Sequence, residues 1–227
     1  MSIFGTPQVK FKDVNSAAVL STTFNTALGD LIVVGVFTFI GTTSVADSAG
    51  NTYVARPKRG PDPASARQLQ WFYCLGATHA SATNLITVTC SGSSGIMVAA
   101  FWDFPISGGT PAFDTDTDYH EDTASPVASP AFNTTGTDEL ILVMNGNSSN
   151  YSDQVAGAGF TLGPLTSDLS FHRAAAEYGI FSSGPSTGIT AGFTYPDTAA
   201  ITDTFAICFK PSSGGGGTAS PVVSIMQ

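Results

Sequence analysis

Apolar and polar residues alternate along much of this chain. In "RQLQWFYCLG", Leu69, Trp71, Tyr73 and Leu75 share one face while Gln68 and Gln70 share the other, which is the two-residue period of a half-buried strand. Similar short runs, separated by clusters of Gly, Asn, Asp, Ser and Pro, predict strands near residues 8–12, 17–25, 30–40, 51–55, 68–76, 84–90, 96–104, 138–145, 158–162, 170–182, 188–194 and 203–210. A helical period is not sustained anywhere; "HRAAAEYG" comes nearest and is short. The pattern predicts an all-β protein.

The runs also echo one another. "GDLIVVGVF" at Gly29 returns as "TDELILVMN" at Thr137, "GNTYV" as "GAGFTL", and "QWFYCLG" as "AAEYGIF". "ITVTC" returns as "ITAGF", and "AAFWDFP" as "TFAICFKP". Five matches in the same order predict an internally duplicated half, residues 17–105 against residues 127–211. This period is too long for a solenoid unit. The expected architecture is a two-sheet antiparallel β-sandwich over residues 17–211, with each half supplying strands to both sheets. An N-terminal arm or edge strand (1–16) precedes it, and a Gly-rich linker with a C-terminal arm (212–227) follows. The expected core includes Leu31, Val33, Trp71, Tyr73, Val98, Leu140, Leu142, Phe160, Phe205 and Ile207.

The succession "GDLIVVGVF", "SVADSAGNTYV", an aromatic strand, "NLITVTCSG" and "IMVAAFWDF", then a second round with "GAGFTL" and "TFAICFK", resembles the jelly-roll-type β-sandwich domains of tailed-phage virion proteins and bacterial surface proteins. The resemblance covers residues 17–211 and rests on turn glycines and core aromatics. It implies a jelly-roll-like fold and carries no catalytic signature.

Composition narrows the function. Seventeen acidic residues against eight basic ones leave a net charge of −9, which argues against nucleic acid as a partner. Half of the basic charge lies in "ARPKRGPDPASAR", where Arg56, Lys58, Arg59 and Arg67 form either a solvated loop tip or a contact for an acidic neighbour. The N-terminus has no secretion-signal pattern, and no apolar run is long enough to span a bilayer. Cys74, Cys90 and Cys208 are odd in number, lack metal-ligand spacing and sit in apolar runs, so they read as buried thiols.

Candidate chemistry is sparse. "FDTDTDYHED" sets Asp114, Asp116 and Asp118 at alternate positions, an oxygen-rich pattern that could hold calcium. An EF-type loop would need Gly where Tyr119 stands and Glu where Ser125 stands, so a solvated acidic loop is the expectation, with no cofactor. His79, His120 and His172 are scattered, "SGSSG" lacks the spacing of a serine elbow, and Glu139 and Glu177 read as structural. Trp71 and Trp102 lie in apolar strands and read as core, leaving Tyr119, Tyr151 and Tyr195 as candidate sugar platforms.

The tail "SSGGGGTASPVVSIMQ" reads as a glycine spacer followed by a docking segment, with Pro221, Val222, Val223, Ile225 and Met226 as its contacts. Together these features predict a non-enzymatic virion structural protein, a phage capsid decoration or accessory head or tail protein. It would be assembled in the host cytoplasm and would bind other copies of itself and a major structural protein of the particle. Two other readings remain open: a carbohydrate-binding or adhesive module recognising surface glycans, and a subunit of a bacterial surface filament. Either would place the chain outside the cell or at its surface.

Overall fold

A computed structural model of the chain describes residues 2–15, 18–39, 41, 43–60, 67–91, 96–123, 125–147, 154–163, 174–182, 184–195 and 202–212. The described residues form no helix. Their strands are β1 (Gln8–Asn15), β2 (Val19–Thr26), β3 (Leu31–Thr38), β4 (Thr43–Asp47), β5 (Val54–Ala55), β6 (Gln68–Cys74), β7 (Ser81–Cys90) and β8 (Ile96–Phe104), then β9 (Pro111–Asp116), β10 (His120–Asp122), β11 (Val127–Ala128), β12 (Glu139–Asn147), β13 (Val155–Ala156), β14 (Thr161–Leu162), β15 (Ala174–Phe181), β16 (Gly192–Thr194) and β17 (Thr202–Pro211). The fold is all-β, and every strand pair among the described residues is antiparallel.

The strands form four sheets. The first half builds β1-β8-β3-β6-β5 and β2-β7-β4; the second builds β10-β17-β12-β15-β14 and β11-β16-β13, with β9 continuing the β10 edge along β17. Strand order therefore runs in parallel through the two halves. The arrangement differs from the expected one, in which each half donates strands to both sheets of one sandwich. Here each half closes its own two-sheet sandwich, and the two larger sheets then pack face to face.

The physical reason lies in β3 and β12. Strand β2 alternates exposed and buried residues along its whole length, whereas every residue of β3 is buried. A sheet whose central strand is apolar on both faces must be covered on both. One face of β3 sends Ile32, Val34 and Val36 into the first sandwich, against Leu20, Phe24, Ile86 and Val88. The other sends Leu31, Val33 and Phe37 to the second half, against Leu140, Leu142, Met144, Phe205, Ile207 and Phe209. Strand β12 likewise turns Ile141 and Val143 into the second sandwich, with Phe193 and Ala206.

Nine of the ten expected core residues lie in the middle layer between the halves; Phe160 is partly buried in the second sandwich instead. Trp71 stacks on Phe205 across the junction, ring centroids 4.6 Å apart, and touches Trp102 at 5.7 Å. Each such aromatic ring buried is worth about 2–3 kcal/mol. Before β1, the chain clips the halves together: the Ile3 amide donates to Asp138 Oδ2 at 2.8 Å, and Phe4 joins the middle layer.

Candidate functional site

The two charged stretches singled out in the sequence meet each other at one edge of the junction between the halves. Strands β9 and β10 run along the edge of β17, which places the acidic run there. The basic stretch flanks β5 and β6 of the first half, where Arg59 and Leu69 exchange backbone hydrogen bonds at 2.8 Å. The acidic run is thus mostly strand rather than a solvated loop, and Arg56, Arg59 and Arg67 of the basic stretch are all engaged in ion pairs. Each finds its counter-charge within the chain.

Arg56 Nε donates to Asp116 Oδ2 at 2.8 Å and its Nη2 to Oδ1 at 3.2 Å, a two-pronged contact. The guanidinium also lies over the Phe113 ring, 4.2 Å from its centroid. The bonds to Asp116 raise the Arg56 pKa further. Arg59 reaches Asp118 at 3.5 Å. Arg67 donates to Glu121 Oε2 at 2.6 Å, and its other nitrogen lies 3.3 Å from Asp203 Oδ2. Lys210 Nζ closes the row on Asp114 at 2.7 Å. Lys58 is not part of it: its ammonium donates to the Gly41 carbonyl and to Gln68 Oε1, and burial lowers its pKa.

Asp114, Asp116 and Asp118 do not converge on a common point; each turns to a different cation of the protein. Burial opposes ionisation of Asp114, but the bonds from Lys210 and Thr135 outweigh it and hold the carboxyl below its ordinary range. Among the described residues no three His, Cys, Asp or Glu side chains cluster as metal ligands.

Sequence reasoning missed Asp203 and Lys210. Asp203 sits in an apolar strand, fully buried, and burial raises its carboxyl to about 6 although Arg67 partly offsets this. A charge inside "TDTFAICFK" was the available signal, since a buried charge demands a partner.

Two further polar networks lie inside the sandwiches. In the first, Asp47 closes the turn after β4: its Oδ1 accepts from the Gly50 and Asn51 amides, and its Oδ2 from Asn51, Tyr53 and Asn84. Burial opposes these bonds, but their sum lowers the Asp47 pKa. Asn84 continues to Thr26, whose hydroxyl donates to Asp103 Oδ2 at 2.7 Å. Burial, with Asp30 alongside, raises Asp103 to about 7 despite that bond. In the second sandwich, burial raises Glu177 to about 8, only partly opposed by the Gly157 and Gly192 amides. Glu139, also fully buried, accepts from Thr134 and from the Gly136 amide. Glu139 thus bonds the loop just before β12, and Glu177 the glycine amides of two other segments.

The remaining candidates separate. His79 and His120 are exposed, the ring of the first beside the Thr78 hydroxyl and that of the second beside the Ala128 carbonyl, whereas His172 lies outside the described residues. Trp71 and Trp102 are buried as core. Tyr195, a proposed sugar platform, is only 3% exposed and bonds Thr202, and Tyr119 packs against the middle layer. Tyr151 lies outside the described residues, as do Pro221, Val222, Val223, Ile225 and Met226. The three cysteines are buried thiols, and burial pushes the Cys74 thiol up to about 11. No helix among the described residues is long and apolar enough to cross a membrane.

Comparison with known proteins finds no matching family model, no similar curated protein and no matching solved structure.

Proposed function

We propose that this chain is a non-enzymatic structural protein of a virion, a phage capsid decoration or accessory head or tail protein binding the particle surface and neighbouring copies. One observation carries the reading: the charged residues with the richest patterning join the two halves, Arg56, Arg59 and Arg67 of the first pairing with Asp116, Asp118, Glu121 and Asp203 of the second. That use of charge suits a rigid building block. The strand orders β1-β8-β3-β6 with β2-β7-β4, and their counterparts in the second half, are consistent with a jelly-roll-like reading of each sandwich, an architecture common in viral coats. This support is analogy of fold, not chemistry.

In this reading residues 214–217 are a spacer and residues 221–226 dock on a neighbouring copy or on the particle. Quantitative mass spectrometry of purified native particles tests it. The expected result is the chain in fixed ratio to the major structural protein, and a truncation lacking residues 212–227 that keeps its melting temperature but loses attachment. Recovery of the chain only in the particle-free fraction would overturn the proposal, and normal attachment of the truncated chain would overturn the role of the tail.

A further inference from the structure

We infer that the contact between the two larger sheets is an isologous dimer interface carried inside one chain, with a pseudo-twofold axis passing between β3 and β12. Strand register says which residues correspond. Leu31 stands opposite Phe104 across β3 and β8, as Leu140 stands opposite Phe209 across β12 and β17. Val33 stands opposite Tyr73 and Leu142 opposite Tyr178. Even the short edge strands agree: Val54 pairs with Tyr73 as Thr161 pairs with Tyr178.

An isologous interface obeys one rule: if residue i touches residue j, the counterpart of i touches the counterpart of j. Phe104 meets Tyr178 edge to face, with centroids 5.7 Å apart and planes at 79°. The counterpart pair, Phe209 and Tyr73, meets at 5.3 Å and 80°. At the wings the correspondence holds strand by strand and not ring by ring, since Phe113 stands opposite Phe209 and Phe11 opposite Ala100. Edge strand β9 of the second half lies against the end of β5, where Arg56 covers Phe113. Edge strand β1 of the first half lies against the end of β14, where a Cβ on Gly163 would sit 3.0 Å from the Phe11 ring. Arg56 and Gly163 occupy equivalent places, each one residue beyond its edge strand.

On a twofold axis a residue faces its own counterpart. Register makes Gly35 the counterpart of Met144 and Phe37 that of Gly146. A Cβ on Gly35 would lie 2.9 Å from the Met144 sulfur, and one on Gly146 only 2.2 Å from the Phe37 ring. Two phenylalanines at the second position would collide and two glycines would leave a hole. The chain places one large and one small residue at each. The stacked Trp71 and Phe205 follow suit, since their counterparts are Ala176 and Ala100. Charge separates the halves in the same way: cations flank β5, the acidic run follows β9, and β1 carries Lys10 and Lys12 instead. Complementary size on the axis and charge on one wing favour the pairing of unlike halves.

Double-mutant cycles in the full chain, followed by urea unfolding, test the axis. Phe104→Leu with Tyr178→Leu, and separately Phe209→Leu with Tyr73→Leu, removes each ring contact while keeping the layer apolar. Both pairs are expected to couple, by about 2- to 10-fold in the unfolding equilibrium constant, and by similar amounts. Coupling in one pair only would overturn the inference. An exchange supplies the second readout: Phe37→Gly and Gly146→Phe should each lower the melting temperature, and the two together should recover at least half of the larger loss. Only positions related by the axis present the same space after exchange, so a double variant melting no higher than the worse single variant would also overturn it.

Discussion

Arg56 and Arg59 lie three residues apart, yet the junction uses them differently. The Asp116 side chain is 11% exposed and takes both prongs of Arg56, whereas the Asp118 side chain is 64% exposed and stands 3.5 Å from Arg59. Removing Arg56 strands a mostly buried carboxylate and uncovers Phe113, so Arg56→Ala should cost about 1–3 kcal/mol in urea unfolding. Arg59→Ala should cost less than about 0.5 kcal/mol, because an exposed pair gains little over water. Equal losses would contradict this ranking. The buried carboxyls make a second expectation. Asp203, Asp103 and Glu177 are raised by burial to about 6, 7 and 8. A raised carboxyl is protonated more readily in the folded chain, so its stabilisation is complete below the ordinary carboxylate value and is lost as pH rises through the folded one. Asp47 and Asp114 are lowered and act oppositely, losing their contribution only as pH falls below the ordinary range. The melting temperature should therefore peak near about pH 4–5 and decline towards pH 8, and Glu177→Gln should flatten the upper part of that decline. A melting temperature that rises from pH 5 to 8 would contradict the assignment.

At the scale of the element, β3 and β12 decide how the halves meet. Both are buried on both faces, and their closest approach depends on glycine at positions 35 and 146. Gly146→Ala places a methyl 2.2 Å from the Phe37 ring, which no rotamer of alanine relieves. The expected loss is about 1–3 kcal/mol from overpacking, measured by thermal melting; an unchanged melt would show that β12 can retreat freely. The short outer strands depend on turns instead. Asp47→Ala removes the acceptor of the turn after β4 and leaves Asn84 and Tyr53 without it, so about 2–3 kcal/mol should be lost. A melt within experimental error of the parent would show that water replaces the carboxylate.

At the scale of the molecule, the described residues form three apolar layers, one within each sandwich and one between them. The middle layer takes residues from both halves, including both tryptophans. Neither half can therefore expose its larger sheet without uncovering the other. A single unfolding transition is expected, with tryptophan fluorescence and far-ultraviolet circular dichroism coincident. Two separated transitions would mean that the sandwiches hold without the junction. The ion pairs guard one rim of this layer and leave β2 and β7 facing outward with Val19, Ser21, Thr23, Leu85 and Thr89.

Much of this was readable along the chain, because strand periodicity, turn residues and apolar runs are local properties. Alternation located β2 and β7, whereas β6, read as half-buried, is buried on both faces, and the central core residues Leu31, Val33, Tyr73, Leu142 and Ile207 declare themselves by side-chain type. Strands β9 to β11 did not, because an Asp-rich or two-residue strand has no apolar period to betray it and exists only by pairing with β17 or β16. The residue types of the charged row were visible, as was their need for counter-charge. Their pairing was not, since Arg56 and Asp116 are sixty residues apart in sequence. An alternating pattern says which face of a strand is buried but not what buries it. Whether β3 and β12 would share one sandwich or pack two together was settled by the shape of two apolar sheet faces, with glycine at 35 and 146 admitting Met144 and Phe37.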